Sequence, residues 1–95
     1  MTLFTFYLNY RGGTYISQVY APTPEKAPRI WAEQLMYSEI EGIGPKGKDY
    51  LIQQIESDVP VPVTGIKRTW CSSARVNGSL ALIHFTETTE EIQES

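Results

Sequence analysis

Cys71 and His84 are the one pair of side chains in this 95-residue sequence whose types fit nucleophilic chemistry and whose spacing brings them together. A thiol beside an imidazole can give up its proton and react as the thiolate. The pair flanks Asn77-Gly78, the strongest short hairpin signal in a sequence, because both residues tolerate the positive φ angles of a two-residue turn. Counting outward from that turn sets Cys71 opposite His84, with Cβ atoms roughly 4.5 to 5.5 Å apart. A cysteine enzyme also needs an orienting acid or amide and an oxyanion hole, and the same-face neighbours Leu80 and Leu82 supply neither. A lone cysteine is more often a small buried hydrophobe. The expectation is therefore a non-enzymatic protein with no catalytic residue. One His and one Cys do not make a zinc site, and no metal or cofactor is expected. Asn77-Gly78-Ser79 also spells a glycosylation sequon, but it is read as the turn.

The densest local signal is Ile40-Glu41-Gly42-Ile43-Gly44-Pro45-Lys46-Gly47-Lys48. Gly42, Gly47 and Lys48 fall at phosphate-loop spacing, but Asp49 stands where a Ser or Thr would hold magnesium, and the chain is too short for a nucleotide-binding sheet. Through Ile40, Gly42, Ile43, Gly44, Pro45 and Lys46 the stretch resembles the helix-hairpin-helix motif. There, two short helices flank a turn whose N–H groups bind a nucleic-acid phosphate. The resemblance implies phosphate binding through Gly42, Gly44, Lys46 and Lys48. It covers only 15 to 20 residues, and Lys48 stands where the motif has a small residue between its helices. The plainer reading is that Gly42 and Gly44 end one helix and Pro45 starts the next.

Composition narrows the classes. Hydrophobic residues make up 41% and charged residues 20%, which is globular rather than disordered. The net charge of -3 and a pI near 5.0 leave no global positive field, which weighs against nucleic acid and anionic lipid as partners. A single cysteine, no basic leader and no apolar run of membrane-spanning length give a cytoplasmic expectation with no membrane partner.

The elements that must position these residues follow from periodicity. Leu3 to Ala21 alternates around Gly12-Gly13, predicting a hairpin that sets Phe4, Phe6, Leu8 and Tyr10 opposite Ala21, Val19, Ser17 and Tyr15 on a core face. Thr5, Tyr7, Asn9, Ile16, Gln18 and Tyr20 take the other face. Thr23-Pro24-Glu25 predicts a helix start, with Ala27, Ile30, Trp31, Gln34 and Leu35 turned inward and an awkward Pro28. A helical stretch is expected to continue through Met36 to Glu39, and a second helix to run from about Lys46 to Glu56. Val59 to Val63, with two prolines, reads as an extended connector or edge. Lys67 to Thr86 is the second hairpin, with Trp70, Ser72, Ala74 and Val76 on one face beside Phe85, Ile83, Ala81 and Ser79, and Cys71, Ser73 and Arg75 on the other beside His84, Leu82 and Leu80.

The reading is an α+β domain over residues 1–87 in the order β-β-α-α-β-β, with an antiparallel sheet and its helices on one face. Residues 88–95 read as an acidic tail or a short helix capped by the Thr88-x-x-Glu91 pattern. A hairpin followed by a helix is similar to the start of double-stranded-RNA-binding-like domains. The chain lacks their basic cluster and Gly-Cys segment, so no family is assigned. The function expected is protein–protein interaction, in an adaptor, immunity or antitoxin-like role. Its contacts would be Tyr7, Ile16 and Tyr20 on the sheet face, or the Val59 to Val63 connector, with another protein as partner; the alternative for that face is burial within the monomer, under the second helix or the connector. Phosphate binding at Gly42 to Lys48 is the alternative.

Overall fold

The alternation after Met1 becomes two strands, β1 (Thr2–Tyr10) and β2 (Gly13–Ala21), in a computed structural model that describes residues 1–89. The turn between them is Arg11-Gly12 rather than Gly12-Gly13, with φ of 48° and 81°, the left-handed pair of a type I′ turn. Arg11 is held there by distant partners: its Nε donates to Ser79 Oγ at 3.0 Å and its Nη2 to the Asn77 carbonyl at 2.9 Å. Moving the turn by one residue shifts the pairing by two, so Phe4 meets Val19 and Leu8 meets Tyr15. An even shift changes no side chain's face, and Phe4, Phe6, Leu8 and Tyr10 are buried as expected.

Helix α1 (Ala27–Gln34) starts later than Thr23-Pro24 suggests. Thr23 to Lys26 instead form a turn in which the Thr23 carbonyl accepts from the N–H groups of Lys26 and Ala27 at 3.2 and 3.1 Å. Pro28 lies in the first helical turn, where its missing N–H costs nothing, and is buried with Ala27, Trp31 and Ala32. Gln34 is exposed rather than inward. Leu35 is extended, so the helix ends there, and Tyr37–Glu39 is a separate 3-10 turn, not a continuation. Lys48 Nζ donates to the Glu33 carbonyl at 2.9 Å, serving an acceptor left orphaned by the early stop. Helix α2 (Gly44–Glu56) buries Gly47, Leu51 and Ile55. A Cβ on Gly47 would stand 3.0 to 3.1 Å from Ile43 Cγ1, Asn77 Nδ2 and Val76 Cγ1, so α2 rests directly on the second hairpin.

That hairpin is β4 (Thr69–Val76) and β5 (Ser79–Thr88), turning at Asn77-Gly78 with φ of 51° and 80°. Its register is the predicted one, with Trp70 opposite Phe85 and Cys71 opposite His84. The proline-rich connector supplies a two-residue edge strand, β3 (Val61–Pro62), paired with β4. The hairpins join through β1 and β5, giving one antiparallel five-stranded sheet in the order β2-β1-β5-β4-β3. Thr88 is the last residue of β5, opposite Leu3, and its Oγ1 bonds Thr5 Oγ1. Most of the expected acidic tail, from Glu90 on, lies outside the described residues.

Both helices cover one face. An aromatic stack runs through its core: Trp31 lies flat on Phe6 at 5.0 Å, Phe6 on Phe85 at 4.6 Å and Phe85 on Trp70 at 5.4 Å. Trp31 also donates from Nε1 to Ser17 Oγ at 3.0 Å, so one side chain ties α1 to β1 and β2. The element order is β-β-α-α-β-β-β, an α+β fold.

Candidate functional site

The face of the sheet opposite the helices carries the residues left over by the core pattern. Pairing aligns Ile16, Tyr7, His84, Cys71 and Val61 in one row across all five strands. Ile16 is 63% exposed, Tyr7 37% and Val61 58%. The next row brings Leu82 between Asn9 and Ser73, and Leu80 lies beyond it opposite Arg75. Tyr20, also on this face, is half-exposed. The three sequence-predicted contact residues, Tyr7, Ile16 and Tyr20, therefore share the open face, with Tyr7 directly opposite Ile16.

This face is polar at one end and apolar in the middle. At the polar end Gln18 Nε2 donates to Thr5 Oγ1 at 3.0 Å, Thr5 Oγ1 bonds Thr88 Oγ1, and Thr69 Oγ1 bonds Thr86 Oγ1 at 3.2 Å. Those groups satisfy one another, and Thr5 is buried beneath them. Tyr7, Ile16, Leu80, Leu82 and Val61 are exposed, an arrangement found where one surface meets another. Val61 belongs to the Val59 to Val63 connector, whereas Leu80 and Leu82 carry no contact signal of their own in the sequence. They are legible there as outward positions of the second hairpin, and only the β1–β5 junction puts Leu82 beside the first hairpin's patch.

Cys71 and His84 meet in the predicted register, His84 exposed and Cys71 half-buried. No hydrogen bond joins them among the described residues, and the next residue in their row is Tyr7 rather than an acid or amide. Nor do three or more His, Cys, Asp or Glu side chains gather anywhere among the described residues in a way that could hold a metal ion.

The Gly42 to Lys48 stretch is built differently from a helix-hairpin-helix. A 3-10 turn precedes it, Gly42 and Gly44 take φ of 84° and 63°, and Asn77 Nδ2 donates to both the Gly42 and Ile43 carbonyls at 3.0 Å. Gly42 packs so closely on Arg11 that a Cβ would stand 2.6 Å from its Nη1. The loop thus knits both hairpin tips to the start of α2. Lys46 is exposed near that helix start, which has no side-chain cap, while Lys48 reaches Glu33. The small residue between packed elements is Gly47, one position before the one compared with the motif.

A broad groove of about 610 Å³ lies between α1 and the end of α2, bordered by Arg29, Ile30, Glu33, Glu56 and Val59. Arg29 pairs there with Glu33 at 3.5 Å and with Glu56 at 2.5 Å, and Glu25, Lys26 and Asp58 also line the groove. Among the described residues no helix is long and apolar enough to cross a membrane. No protein-family model, curated protein or solved structure matches the chain.

Proposed function

We propose that this domain is a non-enzymatic interaction module that binds another protein through the open face of its sheet, in an adaptor, immunity or antitoxin-like role. The observation that supports it most is the apolar patch around Tyr7, Ile16 and Leu82, left uncovered because both helices pack on the opposite face. Aromatic and branched side chains on a rigid sheet bind at small cost in conformational entropy, and such residues carry most of the energy of an interface. Tyr20 and the Val59 to Val63 connector border the same surface.

Phosphate binding at Gly42, Gly44, Lys46 and Lys48 is the weaker reading. The uncapped start of α2 favours it, but Lys48 is committed to Glu33, the loop carbonyls are committed to Asn77 and the chain is acidic.

The test is capture of partners from native lysate by the wild-type protein and by a Tyr7→Ser/Leu82→Ser double variant, with Lys46→Ala as a control. A partner retained by the wild type and the control but lost at least tenfold by the double variant fits the reading. No reproducible partner, or one held equally by all three proteins, removes it.

A further inference from the structure

The two edges of the sheet are finished differently. At the β3 edge the strand is two residues long, follows Pro60 and contains Pro62, a composition that blocks further pairing. Beyond it the exposed backbone of Arg75 on β4 is occupied by Gln54 of α2. Gln54 Oε1 accepts from the Arg75 N–H at 2.9 Å and its Nε2 donates to the Arg75 carbonyl, so one side-chain amide stands in for a neighbouring strand.

Among the described residues, Thr14, Ile16 and Gln18 of the β2 edge have no such cover. The strand is nine residues long with neither proline nor charge, and no other strand among the described residues lies on its outer side. The pair flanking a two-residue turn exchanges both hydrogen bonds, here Tyr10 with Gly13, and bonding then alternates. Gly13, Tyr15 and Ser17 bond to β1, whereas Thr14, Ile16 and Gln18 direct their N–H and C=O groups outward.

A cleft of about 130 Å³ runs along this edge. Its lining includes Trp31, Leu35 and Ile40 from the helix side of the sheet, and also Ile16 and Gln18, whose side chains lie on the opposite face. Because β2 is the edge strand, a cleft between it and the Trp31 to Ile40 segment borders the outward backbone groups. Its volume corresponds to about four waters at roughly 30 Å³ each, room for one branched aliphatic side chain. Among the described residues, Glu39 is the only charged one in the lining.

We propose that β2 and this cleft form a docking site for an extended peptide segment of another protein. The segment adds as a sixth strand, sets an apolar side chain into the cleft and carries a Lys or Arg beside Glu39. Backbone pairing with Thr14, Ile16 and Gln18 supplies affinity, and every second side chain, turned toward Trp31 and Leu35, supplies selectivity. Glu39 decides between the possible strands. A second copy of β2 would bring no base to meet it, whereas a basic segment completes the charge. The site shares Ile16 with the open-face patch but takes it by its backbone; it uses the strand's backbone and inner side, and Tyr7 takes no part in it.

The probe is a phage-displayed library of random nine-residue peptides, followed by the best clone as a synthetic labelled peptide. The expected consensus has apolar residues at alternate positions and one Lys or Arg. Bound peptide should slow amide exchange at Thr14, Ile16 and Gln18 at least tenfold, leaving Tyr15 and Ser17, already bonded to β1, as they were. Gln18→Pro removes an outward backbone donor and no backbone bond to β1, but also the side-chain bond to Thr5; it should weaken binding at least tenfold, whereas Gln18→Ala, which removes only that side-chain bond, should not. The same peptide N-methylated at alternate residues should lose binding to the wild-type protein, which tests the ladder without altering the fold. Glu39→Lys should abolish the preference for a base, and Tyr7→Ser should change nothing, which separates this site from the face. Failure of any clone to enrich, binding that survives N-methylation in every register, or protection appearing elsewhere would overturn the proposal. So would slow exchange at Thr14, Ile16 and Gln18 without peptide in a protein that sediments as a dimer, since a second copy would then hold the edge.

Discussion

Removing the Gln54 amide should cost more stability than its position on the outside of a short helix suggests. Gln54 is half-buried and makes two bonds to a single strand residue, Arg75. Each is worth about 0.5–1.5 kcal/mol net. Gln54→Met keeps the length of the side chain and nearly the same helix propensity, so its effect isolates the two bonds. Water can reach part of this edge and replace some of the lost bonding, which puts the expected cost at about 1–2 kcal/mol. For a domain of this size that is a fall of roughly 5–15 °C in Tm. Gln54→Glu keeps an acceptor for the Arg75 N–H but turns an oxygen toward the Arg75 carbonyl, and should cost at least as much near neutral pH.

Urea denaturation measures the difference, with the slope m unchanged because the exposed area is the same. Amide exchange at Arg75 should speed up alongside it. Because the substitution also uncovers the β4 edge, sedimentation at rising concentration should show new self-association. If Gln54→Met lies within about 0.3 kcal/mol of the wild type and leaves Arg75 exchange unchanged, then the amide is not closing this edge. The contrast between the two edges would then lose half its basis.

Three further outcomes follow from the packing. Gly47→Ala would gain up to about 1 kcal/mol in helix propensity, yet its Cβ meets Ile43, Asn77 and Val76 at 3.0–3.1 Å. Overpacking of about 1–3 kcal/mol should prevail, and urea titration should show net destabilisation. Phe6→Ala interrupts the stack between Trp31 and Phe85 and should cost about 3–5 kcal/mol, read in the same assay together with a loss of near-ultraviolet circular dichroism from both tryptophans. Tyr7→Ser/Leu82→Ser, on the open face, should change stability by no more than about 1 kcal/mol while raising the concentration at which the protein stays monomeric in light scattering.

Whether an element is legible in the sequence depends on whether the contact that decides it is local. Asn77-Gly78 sets the second hairpin's register correctly because both turn residues favour positive φ and the flanking residues alternate. The first turn lies one residue earlier than Gly12-Gly13 implies because Arg11, not a glycine, takes the left-handed position, supported by Asn77 and Ser79 from a hairpin distant in sequence. The 3-10 turn at Tyr37–Glu39 replaces the expected helix for a related reason: the carbonyl left by the end of α1 finds Lys48 rather than the next turn of helix.

The same distinction explains the site. Alternation in β1 and β2 separates an apolar face from a mixed one, so periodicity alone groups Tyr7, Ile16 and Tyr20. Their openness to solvent, however, follows from both helices choosing the other face. A period of two says nothing about which strand becomes a neighbour, and the β2-β1-β5-β4-β3 order is what makes β2 an edge and joins Leu82 to Tyr7. Edge strands and central strands of one half-buried sheet share a pattern, because the pattern records water and core rather than backbone pairing. What does mark the edges here is composition seen in the light of the topology: prolines beside β3, an amide on β4, and an uncharged nine-residue β2. The protected edge and the unprotected one become a statement about function only when they are seen on the same sheet.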